Sequence, residues 1–149
     1  MLGMLRKTYT VELCPEVQGR LTHNNLPLQS QTVIRSLTYN DDEIVDKCIT
    51  GLDGTFKFPK KSIKSRLPGN VFHEISIRQI LFTEFQSQEL FIWLACQRET
   101  DTPKVFIRLM SKLNAELTTE EQVYELENKQ LSASPFRVRT LCFLESYQG

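Results

Sequence analysis

The sequence has few of the residues, and none of the short patterns, on which many catalytic sites depend. Its 149 residues include two histidines, and no G-x-S-x-G, H-E-x-x-H, P-loop or G-x-G-x-x-G pattern is present. These absences argue against the hydrolases, metalloproteases and nucleotide-binding enzymes that such patterns mark. We therefore expect a protein that is not an enzyme and uses no cofactor.

Cysteine and histidine are too scattered to predict a metal site. The four cysteines are separated by tens of residues, without a C-x-x-C pair or a histidine at zinc-finger spacing. Reduced, buried thiols are the favoured interpretation, and a disulfide framework is the alternative. His23 and His73 are expected to be surface or hydrogen-bonded residues; a hydrolase, the alternative, would need an acid or base beside one of them.

Long apolar runs and net charge are also lacking. The longest apolar run, Leu90 to Cys96, has seven residues, whereas a membrane span needs roughly 20. The opening "MLGMLRKTYTVELCPE" has no apolar core of a secretory signal. The 18 basic and 18 acidic residues cancel. We expect a cytoplasmic protein with no membrane partner and no nucleic-acid partner.

The pattern that is present is β. Turn-forming pairs recur at Asn24-Asn25, in "NDDE" from Asn40 and in "GLDG" from Gly51, with short alternating segments between them. "VQGRLTHNNLPLQSQTVIRSLTY" is predicted to form a strand, a turn and a second strand ending at Tyr39. Turn signals at this spacing are typical of an antiparallel β-sandwich. No linker or repeat interrupts the chain, so one domain over residues 1–149 is expected.

The second half adds three β-rich runs. "ISIRQILFTEF" and "LFIWLACQR" are separated by the polar "QSQE", and "FRVRTLCFLE" follows near the end. Because "LFIWLAC" is apolar on both faces, it is expected to be a central strand covered on each side. In the last run one face is predicted to hold Phe136, Val138, Cys142 and Leu144.

One stretch has the period of a helix. Apolar residues at Val105, Phe106, Leu109, Met110 and Leu113 predict an amphipathic helix over about 103–115. "TTEEQVYELENK" begins with a capping-box pattern, and residues 119–128 suit either a second helix or a strand. The predicted fold is therefore a β-sandwich with one or two C-terminal helices, as a helical insertion at about 103–128.

Two acidic patches are candidate partner-binding sites. One lies at Asp41, Asp42 and Glu43, with Asp46 close by, and the other includes Glu120 and Glu121. Such runs are usually solvated faces. Their functional interpretation is a surface that mimics nucleic acid or docks on a basic partner.

A basic stretch, Lys57 to Asn70, is the third candidate. It has five positive charges and no negative one, and its binding residues would be Lys60, Lys61, Lys64 and Arg66. Between the charges, Ile63, Leu67, Val71 and Phe72 suggest a long connection whose apolar residues are pinned to the core. A partner-binding loop and a merely solvated one are both open. A nucleic-acid or phosphate-ligand binding module is the alternative function.

Two resemblances narrow the interpretation. Residues 11–59, with "VQGRLTHNNLPLQSQTVIRS" and "ITGLDGTFKFP", resemble the prealbumin-like, or carboxypeptidase regulatory-like, β-sandwich. The matching positions are Val17, Gly19, Pro27, Leu28, Thr32 to Ser36, Thr50, Asp53, Gly54 and Phe56. That resemblance implies a fold and no catalysis.

The second resemblance concerns function. "LCPEVQGRL", "RSLTYNDDE", "FKFPKKSIKSRLPGN" and "IRQILFTEF" resemble blocks of uncharacterised bacterial proteins, some of which look like immunity proteins for toxins of type VI secretion systems. The resemblance implies a non-catalytic immunity protein that binds and neutralises one cognate toxin. We expect a monomer or weak dimer.

Overall fold

The protein is mainly β. The structure, a computed structural model, describes residues 7–128, 135–142 and 144. In chain order the described strands are β1 (Tyr9–Cys14), β2 (Val17–His23), β3 (Leu26–Pro27), β4 (Thr32–Tyr39), β5 (Asp42–Ile49), β6 (Thr55–Phe58), β7 (Lys61–Ser65), β8 (Ile77–Phe85), β9 (Gln88–Gln97), β10 (Leu113–Glu116), β11 (Gln122–Leu126) and β12 (Phe136–Thr140). The helix α1 (Lys104–Met110) precedes β10, and Leu67–Gly69 form a 3₁₀ turn.

The largest sheet has six antiparallel strands in the order β11-β12-β9-β8-β4-β5. Two of its hairpins close through two-residue turns, Asn40-Asp41 and Gln86-Ser87, in which both residues have positive φ. Asparagine and aspartate tolerate this conformation, and the twist of such turns matches that of the strands. The predicted turn after Tyr39 is therefore confirmed.

A smaller sheet is built around β2. β10 lies parallel on one side of β2, and β6 and β3 lie antiparallel on the other. β10 and β6 approach so closely at Gly19 that a Cβ there would lie 2.1 Å from the Leu113 carbonyl oxygen and 2.6 Å from the Phe56 ring. Only glycine fits this position without a shift of the backbone.

The hairpin predicted from Val17 to Tyr39 is only partly correct. Asn24 and Asn25 do form a turn, with φ of 54° and 65°, but the strand that follows is the two-residue β3. β4 belongs to the six-stranded sheet instead. The chain changes sheets between them, where Leu28 N–H donates to Leu21 O and Ser30 N–H donates to Thr50 O.

Glu116, at the end of β10, fastens the Asn24-Asn25 turn. Its carboxylate accepts hydrogen bonds from both asparagine N–H groups, at 3.0 and 2.7 Å, and from the hydroxyls of Thr22 and Thr118. Desolvation opposes ionisation here, but the bonds from Thr118, Asn25 and Thr22 outweigh it and lower the pKa of Glu116 to about 2.

A third, two-stranded sheet pairs β1 with β7. The basic stretch was predicted to be a connection, but its middle part, Lys61–Ser65, is this strand, with Ile63 opposite Val11. The interpretation was wrong because the partner strand lies near the start of the chain, and no local pattern shows that pairing.

The core covers one face of the six-stranded sheet. Val33, Leu37, Leu81 and Trp93 are at most 1% exposed, and Phe106 of α1 lies edge-on to Trp93 at 5.2 Å. Two polar side chains of this core are paired: Trp93 Nε1 donates to Gln79 Oε1, and Gln79 Nε2 donates to Leu13 O of β1. The described buried hydrophobic residues form one cluster. That the whole chain is one domain stays a prediction.

The prediction that β9 is covered on both of its faces is wrong for the face that points away from the core. Trp93 and Ala95 are buried as expected, but Phe91 and Leu94 on the other face are only half-buried, as are Phe82 and Ile80 of β8. The rings of Phe82 and Phe91 lie 6.4 Å apart. β9 is a central strand, yet these side chains are not among the partly buried residues that pack against the core.

The helix is shorter than predicted. α1 starts at Lys104 and buries Phe106, Leu109 and Met110, but it ends at Met110, and Leu113–Glu116 become β10 because they pair with β2. Residues 122–126, which suited helix or strand, form β11 against β12. The described residues thus contain one α-helix.

The last strand follows its predicted alternation as far as it extends. Phe136 and Val138 are buried, whereas Arg137 and Arg139 are exposed. β12 is shorter than predicted because it ends at Thr140, and beyond it Leu141, Cys142 and Leu144 are all buried.

All four cysteines are free thiols, so the disulfide alternative is wrong. Burial raises the pKa of Cys14 to about 11 and that of Cys142 to about 12. Within the described ranges, no helix has the length and apolar character to cross a membrane, and no three acidic, histidine or cysteine side chains form a metal cage.

Candidate partner-binding surface

A tight turn after the basic strand presents two apolar side chains. We call Asn70–His73 the Phe72 turn. It follows the 3₁₀ turn directly, and His73 N–H donates to Asn70 O at 3.0 Å while Phe72 N–H donates to Asn70 Oδ1 at 2.9 Å. These two hydrogen bonds close the turn.

The side chains on this turn point to solvent. Val71 is 86% exposed and Phe72 is 91% exposed, although the sequence predicted that both are pinned to the core. Ile63, from the same predicted pattern, does pack against the core. The prediction was wrong at Val71 and Phe72, because an apolar residue in a connection is buried only where the rest of the chain packs against it.

The Phe72 turn is anchored beside the first acidic patch. His73 Nε2 and Tyr39 Oη share a hydrogen bond at 2.7 Å, and their rings meet edge-on at 5.5 Å. Tyr39 is the buried last residue of β4, and Asn40-Asp41 follow immediately. Neither histidine was assigned a role from the sequence; the structure makes His73 a positioning residue.

The acidic patch at this anchor is exposed. Asp41, Asp42 and Glu43 all lie at the surface, where Glu43 accepts a hydrogen bond from Ser36 Oγ. The fourth acid near this turn, Asp46, is different because it faces inward.

Asp46 holds a buried arginine that the sequence analysis did not single out. Arg35 Nε and Nη2 donate to the two Asp46 oxygens at 2.9 and 2.6 Å, and Arg35 Nη1 donates to Pro59 O at 2.7 Å. The guanidinium also lies 4.8 Å from the centre of the Phe58 ring. Arg35 therefore fixes the start of the basic stretch. Its position between Val33 and Leu37 on the apolar face of β4 was the signal that could have identified it.

The basic residues are partly paired within the protein. Lys60 forms an ion pair with Glu12 at 2.8 Å, and this bond, with another from Thr102 N–H, lowers the pKa of Glu12. Lys64 donates to Thr10 Oγ1. Arg66 is exposed and immediately precedes the 3₁₀ turn, and Lys61 is half-buried.

The second acidic patch is elsewhere. Glu121 pairs with Arg139 at 2.6 Å beside β11, and Glu120 is exposed next to it. β11 and β5 are the opposite edges of the six-stranded sheet, five strand spacings or about 24 Å apart. The structure thus brings the basic strand and the first acidic patch to the Phe72 turn, and it separates Glu120 and Glu121 from them.

A groove lies between β2, β6 and the α1–β10 connection. Its volume is about 710 Å³, and its cationic lining residues are Arg20, Lys57 and Lys112. Two of these already have partners, since Arg20 donates to Asp53 O and Lys57 lies 3.8 Å from Glu16. The groove contains none of the predicted site residues.

Comparison with known families places most of this surface within the range of one family model. Residues 17–120 match a family model described as "Domain of unknown function (DUF6795)". The matched range includes the basic strand, the Phe72 turn and the first acidic patch, while Glu121, β11 and β12 lie beyond it. No curated protein and no solved structure matches the chain.

Proposed function

Since the chain belongs to the DUF6795 family, whose description leaves its activity open, we propose a function from its surface: it binds and neutralises a cognate antibacterial toxin. In this proposal it acts in the cytoplasm without catalysis, as an immunity protein against a type VI secretion effector. The sequence blocks that resemble such proteins support this class of function.

The observation that carries the proposal is Phe72. An aromatic side chain that is 91% exposed on a hydrogen-bonded turn has no structural role in the described fold. Aromatic residues dominate the energetics of protein interfaces, and a preformed turn loses little entropy on binding. Burying about 150 Å² of this ring would contribute about 4 kcal/mol at about 25 cal/mol per Å².

The charges beside Phe72 suit a protein partner. Lys64 and Arg66 are exposed and precede the Phe72 turn in the chain, and Asp41, Asp42 and Glu43 are exposed just after Tyr39, which shares a hydrogen bond with His73. Mixed charges around an apolar centre resemble the polar rim of an interface, which speeds encounter and rejects wrong partners. A toxin that presents an apolar pocket between an acidic and a basic patch would be complementary.

The same residues argue against a polyanion as the partner. Lys60 and Lys57 have carboxylate neighbours, Glu12 and Glu16. A phosphate-binding surface is normally basic throughout. We therefore treat the nucleic-acid or phosphate-ligand function as an outcome of the test.

We also propose that the mainly β fold is, more specifically, a prealbumin-like β-sandwich. It is supported by the core on one face of the six-stranded sheet and by the hydrogen bond from Gln79 to Leu13 O, which joins β8 to β1. An experimental structure superposed on prealbumin-like domains tests this part.

The function is tested by purification of the tagged protein from its native host. We expect one large partner at one-to-one stoichiometry, whose toxic domain kills cells unless this protein is co-expressed. Phe72→Ser should weaken the complex at least about 30-fold, which corresponds to about 2 kcal/mol. Leu26→Ser is the matched control, because Leu26 is also exposed, at 68%, and lies in β3 of the smaller sheet and not on the Phe72 turn.

Two results would contradict the proposal. One is recovery of nucleic acid, with retention on polyanions that falls steeply with salt. The other is a toxin complex in which Phe72→Ser and Leu26→Ser bind equally well, which would remove the Phe72 turn from the interface.

A further inference from the structure

The strand β5 is a long, regular sheet edge. All eight of its residues pair with β4 in continuous register, and among the described strands β4 is the only one hydrogen-bonded to it. It contains no proline and no bulge, two devices by which proteins protect such edges. No described strand is hydrogen-bonded to the outer backbone groups of this edge.

The face of β5 that points away from the core has a distinctive order of side chains. Glu43, Val45, Lys47 and Ile49 alternate along it, with Val45 56% and Ile49 64% exposed. The acid Glu43 and the base Lys47 thus lie two residues to either side of Val45. That order is self-complementary when the strand is reversed.

The charges select one register for pairing with a second copy. In a two-fold symmetric antiparallel pair, the residue on the axis lies opposite itself. With Val45 on the axis, each Glu43 lies opposite the partner's Lys47, and seven residues, Asp42 to Cys48, overlap.

The other registers that align at least five residues of β5 oppose like charges. An axis at Ile44 places Asp42 opposite Asp46, an axis at Asp46 opposes two aspartates, and an axis at Lys47 opposes two lysines. Opposite charges across a strand pair stabilise it, and like charges directly opposite destabilise it. The Val45 register avoids every like-charge pair and gains two opposite-charge pairs.

We propose that β5 pairs with β5 of a second copy about an axis at Val45, so that the six-stranded sheet continues across the dimer. Seven residues of edge pairing are a small interface, so the dimer dissociates in the micromolar range and weakens with salt. The proposal assigns Asp42 and Glu43 to the dimer contact and leaves Asp41, Lys64 and Arg66 as the charged residues around the Phe72 turn, which is not part of β5 and serves the toxin.

Charge exchange tests the register. Sedimentation velocity of the full chain over a wide concentration range should show a monomer–dimer equilibrium. Glu43→Lys alone, or Lys47→Glu alone, should raise the dissociation constant at least about tenfold, because each creates like-charge pairs. An equimolar mixture of the two variants should form heterodimers about as tightly as the unchanged protein, since every cross-strand pair is again opposite in charge.

A cross-link gives a second test. Val45→Cys should form a disulfide with itself under mild oxidation, because directly opposite residues lie close enough for that bond. Ile49→Cys is the control, since its partner position in this register is Asp41. Circular dichroism of each variant shows that it is folded.

Several results would overturn the proposal. They are a protein that is monomeric at every concentration, a dimer unaffected by either single charge change, and a mixture that fails to form heterodimers. None of them involves Phe72, on which the test of toxin binding depends, and loss of the toxin complex in Phe72→Ser leaves the dimer unchanged.

Discussion

Replacing Asp46 by alanine is expected to lower the free energy of unfolding by about 3 kcal/mol. The change removes the Asp46 carboxylate, which accepts two hydrogen bonds from Arg35. Arg35 is 0% exposed, and its guanidinium keeps its contacts with Pro59 O and the Phe58 ring. Breaking a buried ion pair from one side costs about 3–5 kcal/mol, because a charge stays buried without compensation. The Asp46 side chain is 38% exposed, so water reaches the vacated position and the lower end applies.

Urea unfolding followed by the fluorescence of Trp93 measures this cost. Trp93 is the one tryptophan in the sequence and is 0% exposed, so its emission reports loss of the core. With a slope of roughly 2 kcal/mol per molar urea, the midpoint should fall by about 1.5 M. Asp42→Ala, an exposed acid on the same strand, is the control and should change stability by less than about 0.5 kcal/mol.

A double variant separates the ion pair from other effects. Arg35→Met with Asp46→Ala has no buried charge, so it should be more stable than Asp46→Ala alone. The reasoning is refuted if Asp46→Ala unfolds at the same urea concentration as the unchanged protein. It is also refuted if the double variant is no more stable than Asp46→Ala.

Two further predictions concern β2 and β10. The pKa of Glu116 is about 2 in the folded protein, against an ordinary value of 4.5. The ionised carboxylate therefore stabilises the folded state fully above pH 4.5, and this contribution is lost as the pH falls toward 2, since the unfolded chain takes up the proton first. Urea midpoints at neutral and acidic pH should therefore diverge less in Glu116→Gln than in the unchanged protein, and an equal divergence would contradict this. Gly19→Ala should cost at least about 2 kcal/mol, because the new methyl group would lie 2.1 Å from the Leu113 carbonyl oxygen. Thermal unfolding checks it, and Gly51→Ala, whose Cβ would meet nothing nearer than 3.5 Å, is the control.

Features that depend on a few neighbouring residues could be predicted. Asn24-Asn25 and Asn40-Asp41 form tight turns because their side chains tolerate positive φ wherever they occur. The alternation in residues 136–139 indicates which side chains face the core for the same local reason. The mainly β character follows from many such segments.

Features that depend on distant partners could not. β7 exists because β1 pairs with it, and β10 replaces the last turn of the predicted helix because β2 offers a parallel partner. Asp46 was grouped with the exposed acids, since sequence distance does not show that Arg35 lies opposite it in the sheet.

The sequence by itself determined the mainly β fold, the positions of its tight turns and the residues of its charged patches, because period and turn chemistry are local. Only the tertiary structure decided which patches meet. The Tyr39–His73 bond places the Phe72 turn beside Asp41, Asp42 and Glu43, and strand order places Glu120 and Glu121 at the far edge of the sheet. The exposure of Phe72 is likewise a tertiary property, because whether an apolar side chain is buried depends on what the rest of the chain packs against it.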